Sequence, residues 1–312
     1  MKIYCLLAGI FLIAFGSCTP PTTTGQRAKD SISAEPRPNM EALAPQPKDT
    51  LPQAIPPAMD IQYSYFLFKD SGRARMQAYT PAQRKVIYAL NRVDGTSLSL
   101  LDTVLVPNQF PEDIRAISPF PQQVPGLRDI HKLVLFSYPI QAFAAYERGI
   151  LQRWGPTSMG RKDKPTPEGL YFANWKAEET ISTFEDEWEQ NWTVNIETKA
   201  GIGWHQYALT GKPASHMGLR LLAADAQWLY DWVDTCMLES DTVVSAPGTP
   251  TLVFGQYPWG SRRPWMQLLS NPAANNLSAE QVQQLVQPHS TQIMNAQQKR
   301  TLATPASGNR TS

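Results

Sequence analysis

From His131 to Tyr257 the chain is a succession of short apolar segments separated by turn residues, a pattern that suits a β-rich domain and little else. Lys132–Tyr138, Ala142–Arg148 and Ile150–Trp154 read as strands, with Gly149 turning the chain between the last two. Leu170–Ala173, Thr193–Glu197 and Ile202–Leu209 continue the pattern, and Thr242–Ser245 and Thr251–Tyr257 close it. Helical spacing interrupts it from Leu221 to Trp232, where Leu222, Ala226, Leu229 and Tyr230, followed by Val233, fall on one side. The expectation is a mainly β fold with helices, an α+β domain over 129–258.

The N-terminus implies export. Lys2 precedes an apolar run from Ile3 to Phe15 that ends in Gly16 and Ser17 before Cys18, the layout of a secretory signal peptide over 1–17. A Cys directly after the small residues resembles the lipobox of bacterial lipoproteins, which implies that Cys18 is acylated and becomes the mature N-terminus. Phe15 departs from the usual Leu of that pattern. A plain signal peptide or an uncleaved anchor are the alternatives, and a run of about 13 residues is short against the ~20 needed to span a bilayer. Cleavage before Cys18 would remove Cys5 and leave Cys236 as the only thiol of the mature domain, with no intramolecular disulfide.

Residues 18–60 are rich in Pro, Thr, Ala and charge and nearly free of aromatics, so they cannot offset their ordering entropy and read as a disordered tether. A small segment follows over 61–128. Thr80 and Pro81 cap a helix in which Val86, Ile87 and Leu90 recur at helical spacing, and Thr103–Val106 is strand-like before Pro107. This is either a small helical subdomain that accompanies the main domain or a cell-wall-binding module. The C-terminal extension, 259–312, is polar and Gln-rich and is expected to be largely disordered apart from a short helix over Ser278–Val286.

Charge excludes one class of partner. With 28 Lys and Arg against 27 Asp and Glu the net charge is +1, which offers no electrostatic footprint for nucleic acid. Nine Trp residues are more unusual, and most of them are read as core and groove wall.

The chemistry is carried by three stretches in order: the hairpin from His131 to Trp154 with its Tyr-Glu-Arg-Gly turn; Gly160 followed by Thr166-Pro167-Glu168-Gly169-Leu170-Tyr171; and Trp204-His205, then Ser215-His216-Met217-Gly218-Leu219-Arg220. Together they resemble the L,D-transpeptidase catalytic domain, the YkuD-type fold, whose core motif is Ser-His-Gly-Cys-x-Arg. Met217 stands where that motif has Gly, and Gly218 stands where it has the nucleophilic Cys. The resemblance implies an L,D-transpeptidase-like β-sandwich preceded by the small helical segment. It also implies acyl transfer between peptidoglycan stem peptides through a Cys acyl-enzyme.

A thiolate attack on a peptide amide needs a neighbouring imidazole to take the thiol proton, and backbone N–H groups to hold the oxyanion. By resemblance His216 is the base, Ser215 orients it, and Gly218 marks the nucleophile's position. His205, Arg220, Trp204 and Met217 fall to substrate binding, although only nine residues separate His205 from Ser215. Without its nucleophile the chain reads as a catalytically impaired, peptidoglycan-directed lipoprotein, or as a non-catalytic binding, scaffolding or regulatory protein of the cell envelope. His205 and His216 lack a third ligand for a metal site, and no cofactor is expected.

Overall fold

The computed structural model describes residues 54–181, 189–240 and 243–303, so the signal segment with Cys18 lies outside the described residues. The chain begins with β1 (Tyr63–Leu67), α1 (Phe68–Ala78), α2 (Pro81–Asn91) and β2 (Thr103–Pro107). Thr80 caps α2 as expected: its side chain accepts from Gln83 N while the Gln83 side chain accepts from Thr80 N. β1 and β2 form an antiparallel pair. The inner edge of β2 is closed by Asn91, fully buried, whose amide donates to Leu105 O and accepts from Leu105 N, both in the manner of a neighbouring strand.

The main domain adds β3 (Lys132–Ser137), β4 (Ala142–Glu147), β5 (Ile150–Ser158), β6 (Gly169–Phe172), β7 (Trp175–Ile181), β8 (Glu189–Glu197), β9 (Ile202–Gln206) and β10 (Leu219–Leu221). α3 (Ala223–Trp232), β11 (Met237–Ser240), β12 (Val243–Ala246) and β13 (Pro250–Phe254) complete it. Nine of these strands form one sheet in the order β6-β13-β3-β4-β5-β10-β9-β8-β7. β3 and β9 are four steps apart in that order, about 19 Å in a flat sheet. Yet the rings of Phe136 on β3 and Trp204 on β9 lie 5.7 Å apart. The sheet therefore curls back on itself and encloses a sandwich-like core that holds Phe136, Phe143, Trp154, Trp204, Leu219 and Leu229.

The C-terminal extension departs from its expectation. It contains α4 (Ala279–Val286), capped by Ser278, and a further helix, α5 (Ser290–Ala303), where disorder was predicted. α5 has few apolar contacts, with Ile293 and Ala296 as its buried residues. Polar side chains fasten it: Gln297 accepts from His131 N and donates to Asp129 O, and Arg300 donates to Thr235 O and Pro247 O. Hydrophobic periodicity does not register such anchors, which explains the miss.

The segment before the main domain shares its core. Ile61, Val86, Ala89, Leu90 and Leu105 belong to the large hydrophobic cluster, while Phe66, Met76, Ile87, Val93, Leu98, Leu101, Val104 and Val106 form a smaller one of their own. Arg92 joins three parts of the chain. It caps α2 in the left-handed conformation (φ 58°) and is 2% exposed. Its guanidinium donates to Ile140 O, Ala89 O and Leu90 O and lies between the rings of Trp154 and Trp265, 5.7 and 5.3 Å from their centroids. Burial lowers its pKa to about 9.

Cys236 is disulfide-bonded, which corrects the expectation of a lone thiol. That expectation rested on removal of Cys5 and acylation of Cys18, and both residues lie outside the described residues.

Candidate active site

β9 runs parallel to β10, and the pairing sets Trp204 opposite Leu219 and His205 opposite Arg220. The period of two along β9 then sorts its side chains. Ile202 and Trp204 enter the core, at 2% and 0% exposure, and His205 takes the other face. This corrects the assignment of Trp204 to substrate binding: its ring packs on Phe136, out of reach of a ligand. On the His205 face, the His205 ring meets Tyr207 edge-on at 6.1 Å, and the Arg220 guanidinium lies 4.4 Å from the centroid of the same Tyr207 ring. Arg220 is itself buried, its carbonyl accepting from Thr157 Oγ1 at 2.8 Å. It is positioned to support His205 and Tyr207.

The turn from Ser215 to Gly218 is clamped by the loop that carries the other half of the motif. Ala214 N and Ser215 N both donate to Met159 O, and Arg161 N donates to Ser215 O. Thr166 Oγ1 accepts from Gly160 N at 2.9 Å and donates to Met217 O at 2.8 Å, so one hydroxyl ties the two stretches together. Met217 N donates to Lys164 O, and the Ser215 hydroxyl donates to Gly218 O. Tyr138, not singled out from the sequence, donates its hydroxyl to Gly160 O.

The two glycines of this site differ in what holds them. A Cβ on Gly160 would sit 2.3 Å from Lys164 O and 2.4 Å from Thr166 N, so the close approach of the two loops demands glycine there. A Cβ on Gly218 would meet His205 Cε1 at 3.4 Å, Gly203 O at 3.7 Å and Ser215 Oγ at 3.8 Å, all ordinary contacts. Its φ is not in the left-handed region either. Neither backbone nor packing requires glycine at 218. Met217 is the reverse case, a side chain in the left-handed region at φ 65°, where glycine is at ease.

Residues 132–253 match the L,D-transpeptidase catalytic domain, YkuD. The likeness to the L,D-transpeptidase family lies in this segment. The chain is similar to solved L,D-transpeptidases from Mycobacterium smegmatis (23% identity, 40% of this chain and 59% of that one, TM-score 0.32) and Stackebrandtia nassauensis (20%, 41% and 57%, 0.34). It is similar also to one from Mycobacterium tuberculosis H37Rv (21% identity, 49% and 72%, TM-score 0.33). The match thus spans about 59% of the length of the Mycobacterium smegmatis protein. No curated protein sequence matches the chain.

Within the matched segment, the imidazole nearest the Gly218 position is that of His205. The sequence comparison pointed to His216 for that place. His216 is half-buried in the same turn and lies near enough to Asp163 to contribute to holding that carboxyl low, after the Asp163 backbone N–H and Arg161. Ser215 is 2% exposed and bonded to the turn's own backbone, so it fixes the loop's shape.

Burial, with the Arg220 charge beside it, pushes the His205 pKa down from 6.5 to about 3. His205 is therefore neutral in the fold, and its Nε2 is buried with no hydrogen-bond partner among the described residues. Because the unfolded chain binds a proton there first, the stability from this group is fully present above about pH 6.5 and is lost as pH falls toward about 3. Urea unfolding across pH 4 to 7 is expected to show a shallower decline in His205→Gln than in wild type. Identical slopes would mean that His205 charges in the fold as easily as out of it.

Proposed function

We propose that this is a lipid-anchored protein of the cell envelope, tethered through Cys18, whose L,D-transpeptidase-like domain engages peptidoglycan stem peptides without completing the family's acyl transfer. The observation that carries this reading is the Gly218 position. It is framed by His205, Ser215 and the Gly203 carbonyl, as an acyl-accepting side chain requires, yet glycine supplies no atom to attack a carbonyl carbon. With no bond formed, the site's remaining capacity is to bind the peptide and release it unchanged. The clamped Ser215–Gly218 turn supports that capacity, since the loop geometry is built by Thr166, Gly160 and Met159 and not by the missing thiol.

Intact-mass spectrometry of the wild-type chain with tetrapeptide muropeptides, and separately with a carbapenem, is expected to show no covalent adduct and no cross-linked product. Calorimetric titration with the muropeptides is expected to show binding. Turnover by the wild type would overturn the reading, and absence of both binding and turnover would remove the peptide from it. The anchor has its own check. Membrane-extracted protein should carry an N-terminal Cys18 that is acylated. Protein that retains residues 1–17, or holds Cys18 in a disulfide, would exclude the anchor.

A further inference from the structure

The connection from His205 to Ser215 is held from outside the transpeptidase segment. Val93 bridges Thr210 antiparallel, Asp94 N donates to Leu209 O, and Gly211 N donates to Arg92 O. Gly211 (φ 73°) lets the chain press against Leu101 and Val93, where a Cβ would come within 2.9 Å of the Leu101 side chain. At the far end, Ser158 Oγ donates to Lys212 O at 2.7 Å, after which the chain enters the clamped turn.

Asp94 is the centre of this contact. Its Oδ1 accepts from Thr96 N, Thr96 Oγ1 and Ser97 N, which closes a turn in its own subdomain. Its Oδ2 accepts from Ser97 Oγ and, at 2.7 Å, from Leu209 N across the boundary. Partial burial works against the charge, but these donors hold the carboxyl below its ordinary range.

We infer that the subdomain over 61–107 is a positioning element for the site, acting through the Asp94 carboxylate on the segment that carries Ser215 to Gly218. The small hydrophobic cluster of this subdomain, and its fastening through Arg92, do not depend on Asp94, so the link can be cut while the fold stands. The inference rests on the reading of that turn as the ligand site, and one of the two measurements below is independent of it.

Asp94→Asn separates the two halves of the contact. Two backbone N–H groups hold the amide oxygen in the Oδ1 place, which turns the amide NH2 toward Leu209 N, donor against donor. In the full chain, hydrogen exchange by mass spectrometry is expected to be about tenfold faster at 209–217 in Asp94→Asn, with the rest of the protein and the melting temperature little changed. Thr96→Ala, which weakens only the local turn, should leave 209–217 protected. In a Gly218→Cys background, Asp94→Asn is expected to slow carbapenem acylation about tenfold. Unchanged protection at 209–217 overturns the inference, as does a loss spread over the whole core with a lowered melting temperature. Local loosening with unchanged acylation overturns the positioning role. A Gly218→Cys chain that never acylates means that more than the nucleophile has been lost and overturns the role in positioning the site for acylation, while the exchange result still decides whether Asp94 holds the loop.

Discussion

Gly218→Cys is expected to acquire a single covalent acyl group from a carbapenem, where the wild-type chain acquires none. The argument is steric first. The Cβ enters at 3.4 Å from His205 Cε1 and farther from Gly203 O and Ser215 Oγ, with no left-handed φ to strain it, so the substitution leaves the turn as it is. Chemistry follows from the neighbour. His205 is neutral, so it can accept the thiol proton as the sulfur attacks the β-lactam carbonyl carbon; the ring C–N bond breaks, and the nitrogen takes up a proton and stays within the adduct. Its pKa of about 3 makes it a weak base in the protein as it stands, so slow acylation is expected. A thiolate beside it would favour the protonated ring and raise that value.

Met217 sets the second limit. A left-handed non-glycine residue costs about 1–2 kcal/mol. Met217→Gly in the Cys background would release that strain, and up to about tenfold faster acylation is expected if the strain is carried into the transition state. Intact mass over time reads both effects. His205→Ala in the same background should abolish the adduct, and an adduct that survives it would return the base to another residue, His216 foremost. If neither Cys variant is acylated, then more than the nucleophile has been lost.

Arg92→Ala is expected to cost about 3–5 kcal/mol of folding stability, read by urea unfolding. Three losses coincide: the packing between Trp154 and Trp265, the donors to Ile140 O, Ala89 O and Leu90 O, and the contact that joins α2 to the main domain and to the C-terminal extension. Arg92→Met separates packing from polarity. It refills much of the space between the rings but leaves the carbonyls without their donor, at about 1–3 kcal/mol for a buried unsatisfied group. A Met variant near wild type would show that the cation contributes little beyond its volume, a known outcome for buried charges. An Ala variant as stable as wild type would mean that the three parts hold together without it.

How far the sequence could be read depends on what kind of force holds each element. Short apolar runs bounded by turn residues announced β3, β4 and β5, because strands buried on both faces keep few polar residues. Thr80-Pro81 and Ser278 announced α2 and α4 because capping is local chemistry. Gly160, Thr166, Ser215 and Arg220 were legible as a set, and they lie within 132–253, the segment that matches the L,D-transpeptidase catalytic domain. α5 was not legible, since Gln297 and Arg300 anchor it to carbonyls and amides more than 50 residues away in sequence.

The site divides along the same line. That residue 218 is a glycine, and so lacks a thiol, is read from the sequence alone, and that it marks the nucleophile's position is what the resemblance implies. That the glycine is not required by its surroundings, that His205 and not His216 faces it, that Trp204 is core, and that Asp94 reaches Leu209 were decided by the tertiary structure. The physical reason is that strand register and the curl of the sheet determine which side chains share a face. Those depend on pairing between distant segments, about which a local pattern of residues carries no information.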